Sequence, residues 1–239
     1  MLFLQLAAMN SHFVIAIDGP SGTGKSTTAR LLAKNLGITY LDTGAMYRAI
    51  ALVALDANVS PENTDALKSV LQKTEISFDG ENHILINGVS RETDIRSSRV
   101  SGSVSLYSAI PEVREALTEK QREFGSKASC VLDGRDIGTV VFPNAQFKFF
   151  LVTDLKVRAK RRMEELLLRG ENVSLEEVME SLAERDEQDS NRKVAPLRKA
   201  EDAMEIDTTH LTIEQQVEKI RAAVSVGAAL ESPSHNQKK

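Results

Sequence analysis

One octapeptide near the amino end limits the fold more than any other feature. Gly19, Pro20, Ser21, Gly22, Thr23, Gly24, Lys25 and Ser26 satisfy G-x-x-x-x-G-K-[ST] in full. Each part answers a physical need. The glycines let the backbone turn tightly and bring its N–H groups up to phosphate oxygens. The helix that follows adds the positive end of its dipole. Lys25 supplies a mobile charge for the β- and γ-phosphates, Ser26 offers a hydroxyl to Mg²⁺, and Thr27 continues the cradle. The run before it, FVIAI at 13–17, is wholly apolar and β-branched, which marks a strand buried on both faces. Strand, glycine-rich loop and helix together demand an α/β fold with a parallel sheet.

The rest of the chain alternates accordingly. A helix is predicted from Lys25 to Leu36 with Gly37 as its terminator, then a strand over 38–41, then a helix capped by Asp42 or Thr43. Further strands are predicted at 130–132, 147–152 and 203–206. Helices are predicted from Pro111 to about Phe124, from Asp154 to about Arg169, from a Ser174–Glu177 capping box onward, and over 213–224. The segments 75–78 and 83–86 around Asp79-Gly80-Glu81-Asn82 form a hairpin pattern, out of place in a parallel repeat, so 60–105 reads as an inserted subdomain. The tail from 225 to 239 is expected to be flexible. So are residues 1–12, where Met9 is a candidate start; this apolar stretch lacks a basic flank and is too short to span a membrane.

Composition narrows function by exclusion. A net charge of -4, with basic residues in short clusters, argues against a nucleic-acid groove and for a local anion site. The single cysteine, Cys130, permits no intramolecular disulfide and no cysteine metal cage, and fits a reducing cytoplasm. Three classes share the cradle: a small-molecule kinase, a GTPase-type switch and an ATPase acting on a macromolecule. Neither D-x-x-G nor N-K-x-D occurs, which removes the switch, and the chain lacks the length or long basic surface of the third class.

A kinase needs a second anion site when its acceptor is a phosphate ester. Arg48 follows the second strand, Asp133 and Arg135 end the third, and Arg185, Asp189 and Arg192 share one helix face. Asp133 reads either as a turn residue or as the acid that orients Mg²⁺, directly or through its water. Arg185 and Asp189 read either as an ordinary i, i+4 pair or as part of the anion site. Arg158, Lys160, Arg161, Arg162 and Arg169 form either a solvated basic face or a mobile lid of about 158–174.

Four blocks, GPSGTGKS, LDTGAMYR at 41–48, DGRDIGT at 133–139 and ERDEQDSNRKVAPL at 184–197, together resemble the bacterial cytidylate kinases over about 13–224. The resemblance implies a core, an acceptor-binding insert and a short helical lid; the chain is expected to be a monomer. It implies ATP with Mg²⁺ as donor and CMP or dCMP as acceptor, with UMP the alternative. By position, Thr43, Arg48, Arg135 and Arg192 are expected to hold the acceptor phosphate. Ser105, Arg114 and Asp136 are expected to read cytosine, and Asp189 with Arg185 to meet the ribose. Arg161 and Arg162 fall where the family has lid arginines. The expected catalytic set is Lys25, Asp133, Arg135, Arg161 and Arg192. Thr43 stands where some members carry serine, and the amino-terminal extension has no counterpart.

Overall fold

A computed structural model describes residues 12–231. Five parallel strands form the central sheet in the order β2-β6-β1-β7-β8, where β1 is Val14–Asp18, β2 Thr39–Asp42, β6 Cys130–Gly134, β7 Phe147–Val152 and β8 Met204–Asp207. Every residue of β1 and β6 is buried, as the apolar composition of a central parallel strand requires. The register pairs Ile17 and Asp42 with Asp133 and Asp18 with Gly134. Three carboxylates are thereby brought to one edge of the sheet, where the strands end.

Helices cover both faces. The first, α1 (Lys25–Leu36), packs with the last, α8 (Ile213–Glu231), on one face through Leu32, Val217, Ile220 and Val224. On the other lie α2 (Thr43–Asp56), α4 (Ser98–Ser108) and α5 (Pro111–Lys127), around Ile50, Val104, Leu117 and Leu132. Asp42 caps α2 by accepting from the Ala45 amide at 2.8 Å. Between α2 and α4 come α3 (Thr64–Lys73) and an antiparallel sheet of β3 (Ile76–Phe78), β4 (Ile84–Ile86) and β5 (Val89–Ser90). The hairpin pattern in the sequence is this β3–β4 pair. The paired helices α6 (Leu155–Leu168) and α7 (Leu175–Asn191) enclose a separate small cluster of Ala159, Leu166, Val178 and Leu182. Ser174 and Glu177 cap α7 reciprocally, as their spacing predicts. Cys130 is fully buried.

One sequence expectation needs correction. The tail does not fray at 225, because α8 continues to Glu231 and buries Ala228 completely. The segment after β6 is a π-helical turn, Ile137–Val141, which no apolar period announces. The extension at 1–11 and the tail at 232–239 lie outside the described residues. Among those described, no helix is long and apolar enough to cross a membrane.

Candidate active site

The phosphate cradle is built where β1 meets α1. Gly19 has φ +146°, and a Cβ there would stand 2.3 Å from the Leu151 carbonyl oxygen, so only glycine lets the loop pass β7 this closely. Gly24 adopts the left-handed region ahead of α1. Lys25 is buried and folds its ammonium back, donating to the Pro20 carbonyl at 2.5 Å and Thr23 Oγ1 at 3.3 Å. Burial first, then the neighbouring Arg135, push its pKa well below the usual lysine value. The cradle is braced by a residue the sequence did not single out for this role. Arg158 on α6 donates to the Ser21 carbonyl at 3.0 Å and to Asp186 at 2.5 Å, and the Ser21 amide donates to the other oxygen of Asp186 at 3.2 Å.

Beside the cradle, Ser26 donates its hydroxyl to Asp133 at 2.7 Å and Tyr40 donates to the other Asp133 oxygen at 2.8 Å. Burial, then the facing Asp42, raise Asp133 to about 6. Asp18, the last residue of β1, is raised to about 7, chiefly by burial. An oxygen pair from Ser26 and Asp133, with a second carboxylate near, suits a hard divalent cation that completes its shell with phosphate and water. Among the described residues no three His, Cys, Asp or Glu side chains converge into an all-protein metal cage.

A cleft of about 740 Å³ opens from the cradle and from Asp133 toward α4, α6 and α7. Arg30, Arg48, Arg96, Arg135, Arg162, Arg169 and Arg185 line it. These cations crowd one another. Arg48 is lowered to about 9 by burial and then by Arg185 and Arg96, and Arg185 to about 10 by burial and then by Arg135. A cleft that disfavours its own cations gains free energy when an anion enters. Two of its polar atoms, Ser105 Oγ and Arg185 Nε, are buried without a hydrogen-bond partner, the usual mark of a ligand contact.

Behind the cleft runs a chain of alternating charges. Arg135 Nε meets Asp189 at 2.8 Å, Asp189 lies 3.7 Å from Arg192, and Arg192 reaches Asp136 at 3.3 Å. Asp136 also pairs with Arg114, whose guanidinium sits 5.2 Å over the Tyr47 ring. Arg192 is lowered, by burial and then by Arg114. Burial works to raise Asp189, but Arg135 and then Arg185 hold it below the usual carboxylate range.

Most residues singled out from the sequence therefore meet. Ser21, Gly22, Gly24, Lys25, Ser26, Thr27, Arg48, Ser105, Asp133, Arg135, Arg162 and Arg185 line the cleft, and Arg114, Asp136, Asp189 and Arg192 stand directly behind it. Thr43 donates its hydroxyl to the Asp133 carbonyl at 2.6 Å. Arg161 stands elsewhere. It donates to the Thr208 and Leu211 carbonyls at 3.1 and 3.5 Å, because α6 turns it toward β8 while its neighbour Arg162 faces the cleft. Arg96 is not legible in the sequence: it ends a short 3-10 turn, Asp94–Arg96, and reaches Asp42 at 3.0 Å only through the tertiary fold.

Known proteins resemble this chain over most of its length. Residues 15–225 match the family model for cytidylate kinase. A cytidylate kinase of Caldanaerobacter subterraneus subsp. tengcongensis is 52% identical over 90% of this chain and 96% of its own. One from Carboxydothermus hydrogenoformans is 51% identical over 86% of this chain and 94% of its own. Among solved structures, an uncharacterized protein from Eubacterium ventriosum covers 90% of this chain and 99% of its own with a TM-score of 0.51 at 15% identity, a likeness of fold alone.

Proposed function

This chain belongs to the cytidylate kinase family, and on that premise we propose that it transfers the γ-phosphoryl group of ATP to CMP or dCMP, giving ADP and CDP or dCDP. The single observation that carries the reading is the cleft itself, with a P-loop lysine and seven arginines around one space and buried, unpartnered Ser105 and Arg185 atoms facing it. Two anionic substrates fit that arrangement.

The residues divide the work. The 19–26 backbone and Lys25 grip the donor polyphosphate. Ser26 and Asp133 would hold Mg²⁺, directly or through its water, and the bound ion would supply neutralisation of phosphate charge. Arg48, Arg135 and Arg192, with Thr43, hold the acceptor phosphate so that its oxygen attacks the γ-phosphorus in line. No protein nucleophile takes part: catalysis is positioning and charge neutralisation. Cytosine carries an amino donor at C4 beside acceptors at N3 and O2. The Asp136 carboxylate accepts from the amino group, while Arg114 and Ser105 donate to the acceptors. Uracil, with a carbonyl at that position, would face a carboxylate it cannot satisfy. Asp189, with Arg185, takes the ribose.

The α6–α7 hairpin acts as the lid. Arg169 at its tip donates to the Arg96 carbonyl at 3.0 Å, and Ser98 bonds Glu171, so the tip is fastened to the start of α4 across the cleft mouth. Arg162 is the lid cation that faces inward. ADP release measured with CMP, dCMP, UMP, AMP and GMP in turn tests the reading: CMP and dCMP should be the best acceptors. A UMP rate equal to that of CMP would remove Asp136 from base recognition, and activity on none of the five would overturn the kinase assignment.

A further inference from the structure

The base-reading carboxylate of Asp136 does not stand on a strand or a helix. It precedes the π-helical turn Ile137–Val141, and its carbonyl receives the Val140 and Val141 amides at 2.9 and 3.1 Å. Where Asp136 points therefore depends on what holds that turn. One end is held from β1. The buried carboxylate of Asp18 accepts the Ile137 amide at 2.8 Å with one oxygen and the Gly138 amide at 2.7 Å with the other. The other end is held from α5, where Arg122 donates to the Val140 and Val141 carbonyls at 2.8 and 3.0 Å. Gly138 leaves little freedom between them: a Cβ there would lie 3.4 Å from Asp18 and 3.2 Å from the Lys148 stem.

Asp18 is also the residue immediately before Gly19, and the sheet register pairs it with Gly134 at the start of the Gly134-Arg135-Asp136 segment. One side chain thus joins the backbone that grips the donor to the turn that aims the acceptor's reader. We propose that Asp18 is a positioning residue for acceptor selection, fixing the 137–138 amides so that Asp136 meets Arg114 and Arg192 in the geometry that distinguishes a 4-amino from a 4-oxo pyrimidine. The proposal rests on the reading that Asp136 recognises the acceptor base. Asp18 need not touch either nucleotide: it is absent from the cleft lining, and both its oxygens are taken by backbone amides.

Asp18→Asn tests it. Asparagine offers one carbonyl oxygen and turns an amide donor toward the second N–H, so one of the two bonds becomes a clash. The measurement is kcat/KM for CMP and UMP, with KM for ATP, on protein checked for folding by its melting transition. The ratio of CMP to UMP should fall about tenfold, and KM for ATP should move less than about twofold. A folded variant with an unchanged ratio overturns the proposal, and so does equal loss for CMP, UMP and ATP, the signature of a purely structural role. If Asp18→Asn does not fold, Arg122→Met releases the other end of the same turn from an exposed position, and an unchanged ratio there overturns the proposal equally. A wild-type protein with no preference for CMP would instead overturn the base reading beneath the proposal, and the proposal with it.

Discussion

Ser26 donates its hydroxyl to Asp133 across 2.7 Å, although 107 residues separate them in the chain. The first turn of the cradle helix and the end of the neighbouring strand thereby meet at one oxygen pair, on the line between donor grip and arginine cleft.

That pair gives the first prediction. Asp133 has a folded pKa of about 6, raised from the ordinary 3.8 by burial. The folded protein then holds a proton that the unfolded chain releases, so stability falls as pH rises from about 4 through 6. Asp133→Asn cannot ionise, and either face of its amide can pair with the Ser26 and Tyr40 hydroxyls. Without Mg²⁺, the melting temperature of the variant relative to wild type should therefore rise as pH goes from 4.5 to 7. Its kcat should fall about 100-fold or more. Thermal melts across that pH range and steady-state rates check both.

Lys25→Met removes a charge that folding buries at a cost. We expect kcat to drop about 100-fold or more and the melting temperature of the free protein to stay level or rise. Turnover near the wild-type value would deny Lys25 its part in the cradle.

Asp136 lies between Arg114 and Arg192, all three largely buried. Removing the carboxylate as Asp136→Ala deprives Arg114 of its carboxylate partner, leaves Arg192 with Asp189 at 3.7 Å, and should cost about 3–5 kcal/mol of stability. Asp136→Asn keeps one acceptor oxygen and the volume. In that variant the preference for CMP over UMP should fall about tenfold or more, read as the ratio of kcat/KM values.

Arg158 braces the 19–26 loop from α6. Lysine in its place cannot serve the Thr153 carbonyl, the Ser21 carbonyl and Asp186 together, which Arg158 reaches at 3.1, 3.0 and 2.5 Å. Arg158→Lys should raise KM for ATP about tenfold and leave the CMP to UMP ratio unchanged. A shift in that ratio instead would place Arg158 on the acceptor side.

What the sequence makes legible is what is local. The cradle, the Asp42 cap, the Ser174–Glu177 box and the strand at 147–152 are each written in adjacent residues or a short period. So is the convergence of Arg48, Arg135 and Arg185 on one cleft, once the blocks at 41–48, 133–139 and 184–197 are taken together. What stays hidden is long-range. Asp18 finds its amides 119 residues away, and Arg158 finds Ser21 at a separation of 137. Both look like ordinary strand-end and helix charges until the sheet register is known. Arg161 misleads for a related reason: adjacent arginines on a helix point about 100° apart, and only packing decides that Arg162 faces the cleft.

The most direct measurement follows a labelled γ-phosphate. With ATP carrying ³²P at that position, Mg²⁺ and CMP, the label should appear in the β-phosphate of CDP, in step with ADP and dependent on CMP. Label released as orthophosphate at the same rate with or without CMP would contradict the account.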